Sequence, residues 1–126
     1  MTTPTELRSK LKEGVIAFPI TPFHEDLSLN LEGLRHNLTR LVEHPLCAIV
    51  AAGGTGEVYS LTPPEYSDVV RLTVEVVNGK SPVIAGVGFN QPMAVEMAKQ
   101  AAKAGADGIL ALPPYYPNAE DRKSVV

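Results

Sequence analysis

Gly53-Gly54-Thr55-Gly56-Glu57 is the part of this sequence best suited to hold a ligand. Glycines let a backbone approach a bound group closely and turn successive N–H groups toward it, making a concave nest for an anion. Thr55 adds a hydroxyl donor, and with no lysine or arginine in the motif a single carboxylate is a better guest than a polyphosphate. A tight turn that merely needs positive φ explains the same glycines, so both readings stay open here. Glu57 can serve as a base, although a carboxylate paired with the loop backbone is its simpler role. Tyr115-Tyr116 is the second candidate, stiffened by Pro113-Pro114 and Pro117. A phenol there can relay a proton or pack at a subunit interface. His24, His36 and His44 lack the spacing of metal ligands and are expected to be solvated. Cys47, the one cysteine, can form no internal disulfide and is expected as a small core residue, which fits a reducing compartment.

These residues need elements to position them. Thr3-Pro4-Thr5-Glu6 is a capping box with proline at the first helical position, and Leu7 and Leu11 then share a face, with Gly14 as the stop. Val15 to Ile20 is a continuous apolar run, the pattern of a parallel strand covered on both faces. After the polar turn His24-Glu25-Asp26, Asn30 can cap a helix whose Leu31, Leu34, Leu38, Leu41 and Val42 make one apolar stripe. The unit repeats: Cys47 to Ala52 is a second strand, and Thr62-Pro63-Pro64-Glu65 is another capping box. Tyr66, Val69, Val70, Thr73, Val76 and Val77 form the next stripe, closed by Asn78-Gly79. Pro82 to Val87 is a third strand, followed by a helix opened by Pro92, with Met97, Ala98 and Ala101 facing inward and Gly105 as its cap. Ile109 to Leu112 is the fourth strand, and Asn118-Ala119-Glu120-Asp121 looks like the first turn of an unfinished helix.

Alternating strands and helices dictate a parallel sheet with right-handed crossovers. A dinucleotide-binding domain is disfavoured, because Gly86-Val87-Gly88 is not completed by a glycine at Gln91. A phosphate-binding loop fails because no Gly-Lys-Ser/Thr follows the glycines. A receiver-like sheet lacks its clustered acids, since Asp26 stands alone. A β/α barrel meets no such objection, with its site on the loops after the strands. A full barrel takes about 250 residues and eight units, so residues 1–126 are expected to be the N-terminal half of one domain. The fold class is then α/β: the first four βα units of a TIM (β/α)8 barrel, preceded by a short helix.

Composition narrows the partners. The 126 residues are 44% hydrophobic and 20% charged, as in an ordinary globular chain, and the formal charge of -3 offers no case for nucleic acid. No apolar stretch approaches membrane-spanning length and no signal pattern opens the chain, so a cytoplasmic protein is expected.

Phe18-Pro19-Ile20-Thr21-Pro22-Phe23, Gly53-Gly54-Thr55-Gly56-Glu57 and Leu112-Pro113-Pro114-Tyr115-Tyr116 occur in that order. Together they resemble the dihydrodipicolinate synthase/N-acetylneuraminate lyase family of Schiff-base aldolases. Within it, they are most similar to the members that dehydrate and decarboxylate a deoxy sugar diacid to 2,5-dioxopentanoate. The resemblance implies that Gly54 and Thr55, with Gly56, bind the carboxylate of a 2-keto acid or sugar diacid, and that Phe18 lines the pocket. It implies that Tyr116 is a supporting catalytic residue reaching a neighbouring subunit's site in a homo-oligomer. No cofactor and no metal is implied. The family's imine lysine and its strand-five tyrosine would lie beyond Val126.

Covalent carbonyl catalysis needs an amine in the pocket with its pKa lowered. Lys10 and Lys12 lie on or beside the leading helix, Lys80 precedes the third strand, Lys99 and Lys103 ride the third stripe-bearing helix, and Lys123 is in the tail. None is expected at a strand's C-terminal end, so this chain alone is expected to be inactive. Two alternatives are carried forward. One is another pyruvate-dependent lyase of the family, such as dihydrodipicolinate synthase. The other is a non-catalytic half-barrel that pairs with a copy of itself through its open edge strands.

Overall fold

The computed structural model describes residues 2–113. Strands β1 (Val15–Ala17), β2 (Leu46–Ala51), β3 (Val83–Val87) and β4 (Gly108–Ala111) lie side by side in that order, every pair parallel. Helix α1 (Pro4–Lys10) precedes the sheet, and α2 (Leu31–Leu41), α3 (Pro63–Val77) and α4 (Gln91–Ala104) form the three crossovers. Tyr115, Tyr116 and the tail helix expected from Asn118 lie outside the described residues.

Local chemistry sets the helix ends. Thr3 and Thr62 each accept from the N–H of the glutamate three residues on, while Glu6 and Glu65 accept in return from the threonine N–H groups, both at 2.8 Å. Asn30 and Asn90 cap α2 and α4, accepting from Gly33 N–H at 2.8 Å and Met93 N–H at 3.0 Å. At the other ends, Asn78 (φ 45°) and Gly105 (φ 94°) take the left-handed conformation that stops α3 and α4. Helix α1 ends earlier than its sequence suggests. Leu11 caps it, and Gly14 at φ 120° turns the chain into β1.

The sheet buries its two faces differently. Ile49, Ala51, Val83, Ala85 and Val87 form one core with Leu34 and Leu38 of α2, Val69, Val70 and Val77 of α3, and Met97 and Ala101 of α4. Ala48, Val50 and Ile84 point to the opposite face, where Leu11 and Leu110 pack on them. Leu7 reaches β4 on the same side: a Cβ on Gly108 would stand 3.0 Å from its Cδ2. The leading helix thus covers the N-terminal part of the face that the crossover helices leave bare.

Three expectations are corrected. The strand expected over Val15 to Ile20 is only three residues long and is not covered on both faces, Val15 being 62% and Ile20 57% exposed. Its apolar run belongs to an edge: β1 pairs with β2 alone, and the chain leaves the ladder after Ala17. Cys47 is only half-buried, beside Gly14 in a groove that also takes in Lys10, Glu13 and Lys80. On α3, Val76 is half-buried while Leu72, outside the expected stripe, is buried.

Candidate active site

At the C-terminal end of β2 the chain passes through Ala52 and Glu57, both non-glycines at positive φ (48° and 55°). The glycines between them, Gly53, Gly54 and Gly56, are not among the positive-φ residues. The positive-φ explanation therefore fails for all three glycines; close approach is what Gly53 and Gly56 provide, while a Cβ on Gly54 would meet nothing within 4 Å. A Cβ on Gly53 would meet Val50 Cγ1 at 3.0 Å and the Phe18 ring at 3.3 Å. A Cβ on Gly56 would stand 3.2 Å from the Pro19 carbonyl oxygen.

The segment leaving β1 seats this loop. The ring of Phe18 lies against Gly53, the Pro19 carbonyl lies against Gly56, and the buried Thr21 hydroxyl donates to the Gly56 carbonyl at 2.6 Å. Phe18 and the glycine loop, related in sequence only by resemblance, are thus neighbours in space. The loop closes on itself through Glu57 N–H to Gly54 O at 3.0 Å and Val58 N–H to Gly53 O at 3.3 Å. Among the described residues, the N–H groups of Gly54, Thr55 and Gly56 have no internal acceptor. Gly54 and Thr55 are exposed and Gly56 is buried. Consecutive unpaired N–H groups at a strand's C-terminal end are suited to accept an anion.

Glu57 departs from its expected role. It is exposed, its side chain caps nothing, and its backbone N–H rather than its carboxylate closes the loop.

Two residues that sequence reasoning passed over support the loop from β3. A Cβ on Gly86 would lie 2.0 Å from the Ala52 carbonyl oxygen and 3.1 Å from Gly53 Cα, so the loop rests directly on the backbone of β3. On Gly88 a Cβ would lie 3.0 Å from the Tyr59 hydroxyl. The two glycines that look like an unfinished dinucleotide fingerprint are therefore seats for the neighbouring loop. The sequence signal was present, since glycine inside an apolar strand marks a close backbone approach. Thr21 carried no such signal.

The remaining candidates are dispersed. His24, His36 and His44 are exposed, and no group of three metal-ligating side chains is brought together among the described residues. Lys10 and Lys80 line a groove of about 430 Å³ at the N-terminal ends of the strands, and Lys12 precedes β1. Lys99 and Lys103 line a groove of about 500 Å³ on the outer side, between α3 and α4. Neither groove includes a residue of the glycine loop.

Comparison with known proteins bears on this geometry. Residues 11–124 match the model of the dihydrodipicolinate synthetase family. A protein of Methylobacterium radiotolerans named a probable 5-dehydro-4-deoxyglucarate dehydratase is 48% identical over 94% of this chain and 39% of its own length. One of the same name from a Bradyrhizobium species is 46% identical over 94% and 38%. Among solved structures, dihydrodipicolinate synthase from Oceanobacillus iheyensis matches with a TM-score of 0.81 and 32% identity, over 90% of this chain and 38% of that one. The enzyme of the same name from Bacillus clausii gives 0.80 and 34%, over 84% and 36%. The chain spans under two fifths of the length of the curated relatives it matches. Helix α1, the order β1-β2-β3-β4 and the glycine loop at the end of β2 are the N-terminal part of that barrel, and the chain belongs to the dihydrodipicolinate synthetase family.

Proposed function

We propose that this chain carries the carboxylate-binding part of a Schiff-base lyase acting on 5-dehydro-4-deoxyglucarate, a dehydratase that releases water and carbon dioxide and yields 2,5-dioxopentanoate. The observation that carries the reading is the run of unpaired N–H groups at Gly54, Thr55 and Gly56. The names of the relatives at 48% and 46% identity supply the substrate class.

In this reading Gly54, Thr55 and Gly56 hold one substrate carboxylate through backbone N–H groups and the Thr55 hydroxyl, and Phe18 walls the pocket beside Gly53. Tyr116 takes a supporting role in proton transfer at a neighbouring subunit's site, which makes the whole protein a homo-oligomer. The carbonyl carbon is attacked by a lysine amine of lowered pKa. The lysines among the described residues stand elsewhere, so that amine and a proton-shuttling tyrosine are assigned to the part of the family barrel that this chain does not span. The imine is itself the electron sink, so the reaction calls for no cofactor. The substrate is a small polar diacid of metabolism, and a cytoplasmic site of action goes with it.

Titration of the 15N-labelled chain with glucarate, a stable sugar diacid, tests the clamp. Saturable shifts at the Gly54, Thr55 and Gly56 amides are expected, and shifts scattered over surface lysines instead would overturn it. Borohydride with pyruvate should leave the chain's mass unchanged, whereas a stoichiometric adduct would place an imine lysine within these residues. A pyruvate-dependent lyase such as dihydrodipicolinate synthase is the second reading, favoured by the solved structures at 32% and 34% identity. Tighter binding of pyruvate than of glucarate would select it.

A further inference from the structure

We infer that Tyr59 is a positioning residue that ties the glycine loop to the chain leaving β4, so that filling the loop with a carboxylate is transmitted toward Tyr116. The tie stands on geometry alone, while its coupling to a ligand rests on the carboxylate reading above.

Tyr59 lies in the 3-10 turn Val58–Ser60 that follows the loop directly, and it is half-buried. From there its side chain passes over the residues that follow β3 and ends at the chain leaving β4. The ring meets Phe89 edge-on, centroids 4.9 Å apart at 72°, a favourable aromatic geometry. The hydroxyl passes over Gly88, where a Cβ would stand 3.0 Å from it, and donates to the Pro113 carbonyl at 3.1 Å. Glycine at 88 is what leaves the phenol its path. Phe89 sits at φ 71°, a conformation costly for a non-glycine and retained only where the surroundings hold it. Here the Tyr59 ring is one of the groups that hold it. One side chain therefore touches the ends of β3 and β4 and belongs to the turn that closes the β2 loop.

Beyond Pro113 the sequence reaches Tyr116 three residues later. Just before Pro113, Leu112 N–H donates to the Val87 carbonyl at 2.8 Å, extending the β3–β4 ladder. The Tyr59 bond holds the Pro113 carbonyl, two peptides beyond that ladder contact. Tyr59 follows the loop directly in the chain and holds the Pro113 carbonyl, so its part is to set where the β4 exit stands relative to the glycine loop.

Amide hydrogen exchange on the full 126-residue chain, wild type against Tyr59→Phe, tests the tie without any ligand. Loss of one hydrogen bond should speed exchange at Leu112 about fivefold, with Val50 and Ala85 unchanged. Gly88→Ala, which pushes on the phenol from below, should reproduce the local effect. Unchanged exchange at Leu112, or equal acceleration across the whole ladder, overturns the tie. Titration of both proteins with glucarate then tests the coupling. In wild type, shifts at Gly54, Thr55 and Gly56 should be accompanied by shifts at Leu112, Tyr115 and Tyr116. Tyr59→Phe should keep the first set, with an affinity within about twofold, and lose more than half of the second. Retention of the second set overturns the coupling. Glucarate that shifts none of these amides in wild type overturns the carboxylate reading and the coupling with it, while the exchange rates still decide the tie.

Discussion

A Cβ on Gly86 would fall 2.0 Å from the Ala52 carbonyl oxygen, well inside van der Waals contact with rigid backbone. Gly86→Ala must therefore push the glycine loop off β3. The expected cost is about 3 kcal/mol or more, at the upper end of overpacking effects, read as a fall in the urea midpoint. Thr21 presents the opposite case, a favourable contact that can be removed without crowding. Its hydroxyl is buried and bonds the Gly56 carbonyl at 2.6 Å, so Thr21→Val leaves a buried acceptor unpaired. A loss of about 1–3 kcal/mol is expected, together with faster exchange in residues 53–57. Tyr66 shows that a buried hydroxyl need not help. It is 2% exposed, its hydroxyl has no partner among the described residues, and burial pushes its pKa up to about 12. Tyr66→Phe removes a desolvated polar group at nearly constant volume, so stability should be unchanged or higher in the same urea titration. Of these three positions Tyr66 was legible as a member of the α3 stripe, Gly86 carried only the general signal of a glycine inside an apolar strand, and Thr21 carried none. Thr21 and Gly86 act through neighbours 35 and 34 positions away (21 to 56, 52 to 86), which no local pattern encodes.

The helices were the most legible elements, because their caps are local. Both capping boxes and the Asn30 cap stand within three residues of the amides they satisfy, whereas the Asn90 cap, equally local, was not read from the sequence. Thr62→Ala should cost about 1 kcal/mol by removing the α3 cap, measurable as a lower thermal midpoint. The strands were legible as apolar runs but not in length, since pairing rather than composition ends a strand. At the start of β4, Asp107 does work that no motif announces. Its carboxylate accepts from Val83 N–H at 3.0 Å and Thr2 N–H at 2.8 Å, tying β3 and the chain entering α1 together. Partial burial opposes its ionisation, yet the hydrogen bonds from Val83 and Thr2 outweigh it and its pKa is lowered. A lowered folded-state pKa stabilises the fold fully above the unfolded value of about 3.9, and that stability is lost as pH falls through the folded value. Wild type should thus lose this contribution to α1 docking as pH falls below the unfolded value of about 3.9, followed by exchange at Leu7 and Leu11. Asp107→Asn should lose that part of the acid dependence and show looser docking already at neutral pH.

For the molecule as a whole, the open sheet decides behaviour. Val15, Ile16, Phe18 and Ile20 on one edge and Ile109 on the other are large apolar side chains between 38% and 62% exposed. Parallel strands normally have both faces and both neighbours in place. The isolated chain should therefore associate as its concentration rises, and Ile16→Lys with Ile109→Lys should return it toward monomer. A concentration-independent monomer in sedimentation velocity would contradict this. The sequence by itself determined the alternation of strands and helices, the two capping boxes with the Asn30, Asn78 and Gly105 caps, and the placing of the glycine loop after the second strand. Each of these depends on residues adjacent in the chain, where hydrogen bonds and side-chain period act at short range. Only the tertiary structure decided that Phe18, Pro19 and Thr21 seat the loop, that Gly86 and Gly88 are its clearances, and that Tyr59 reaches Pro113. Those contacts exist because the parallel register brings the C-terminal ends of four strands together, a proximity that belongs to the sheet and to no segment of it.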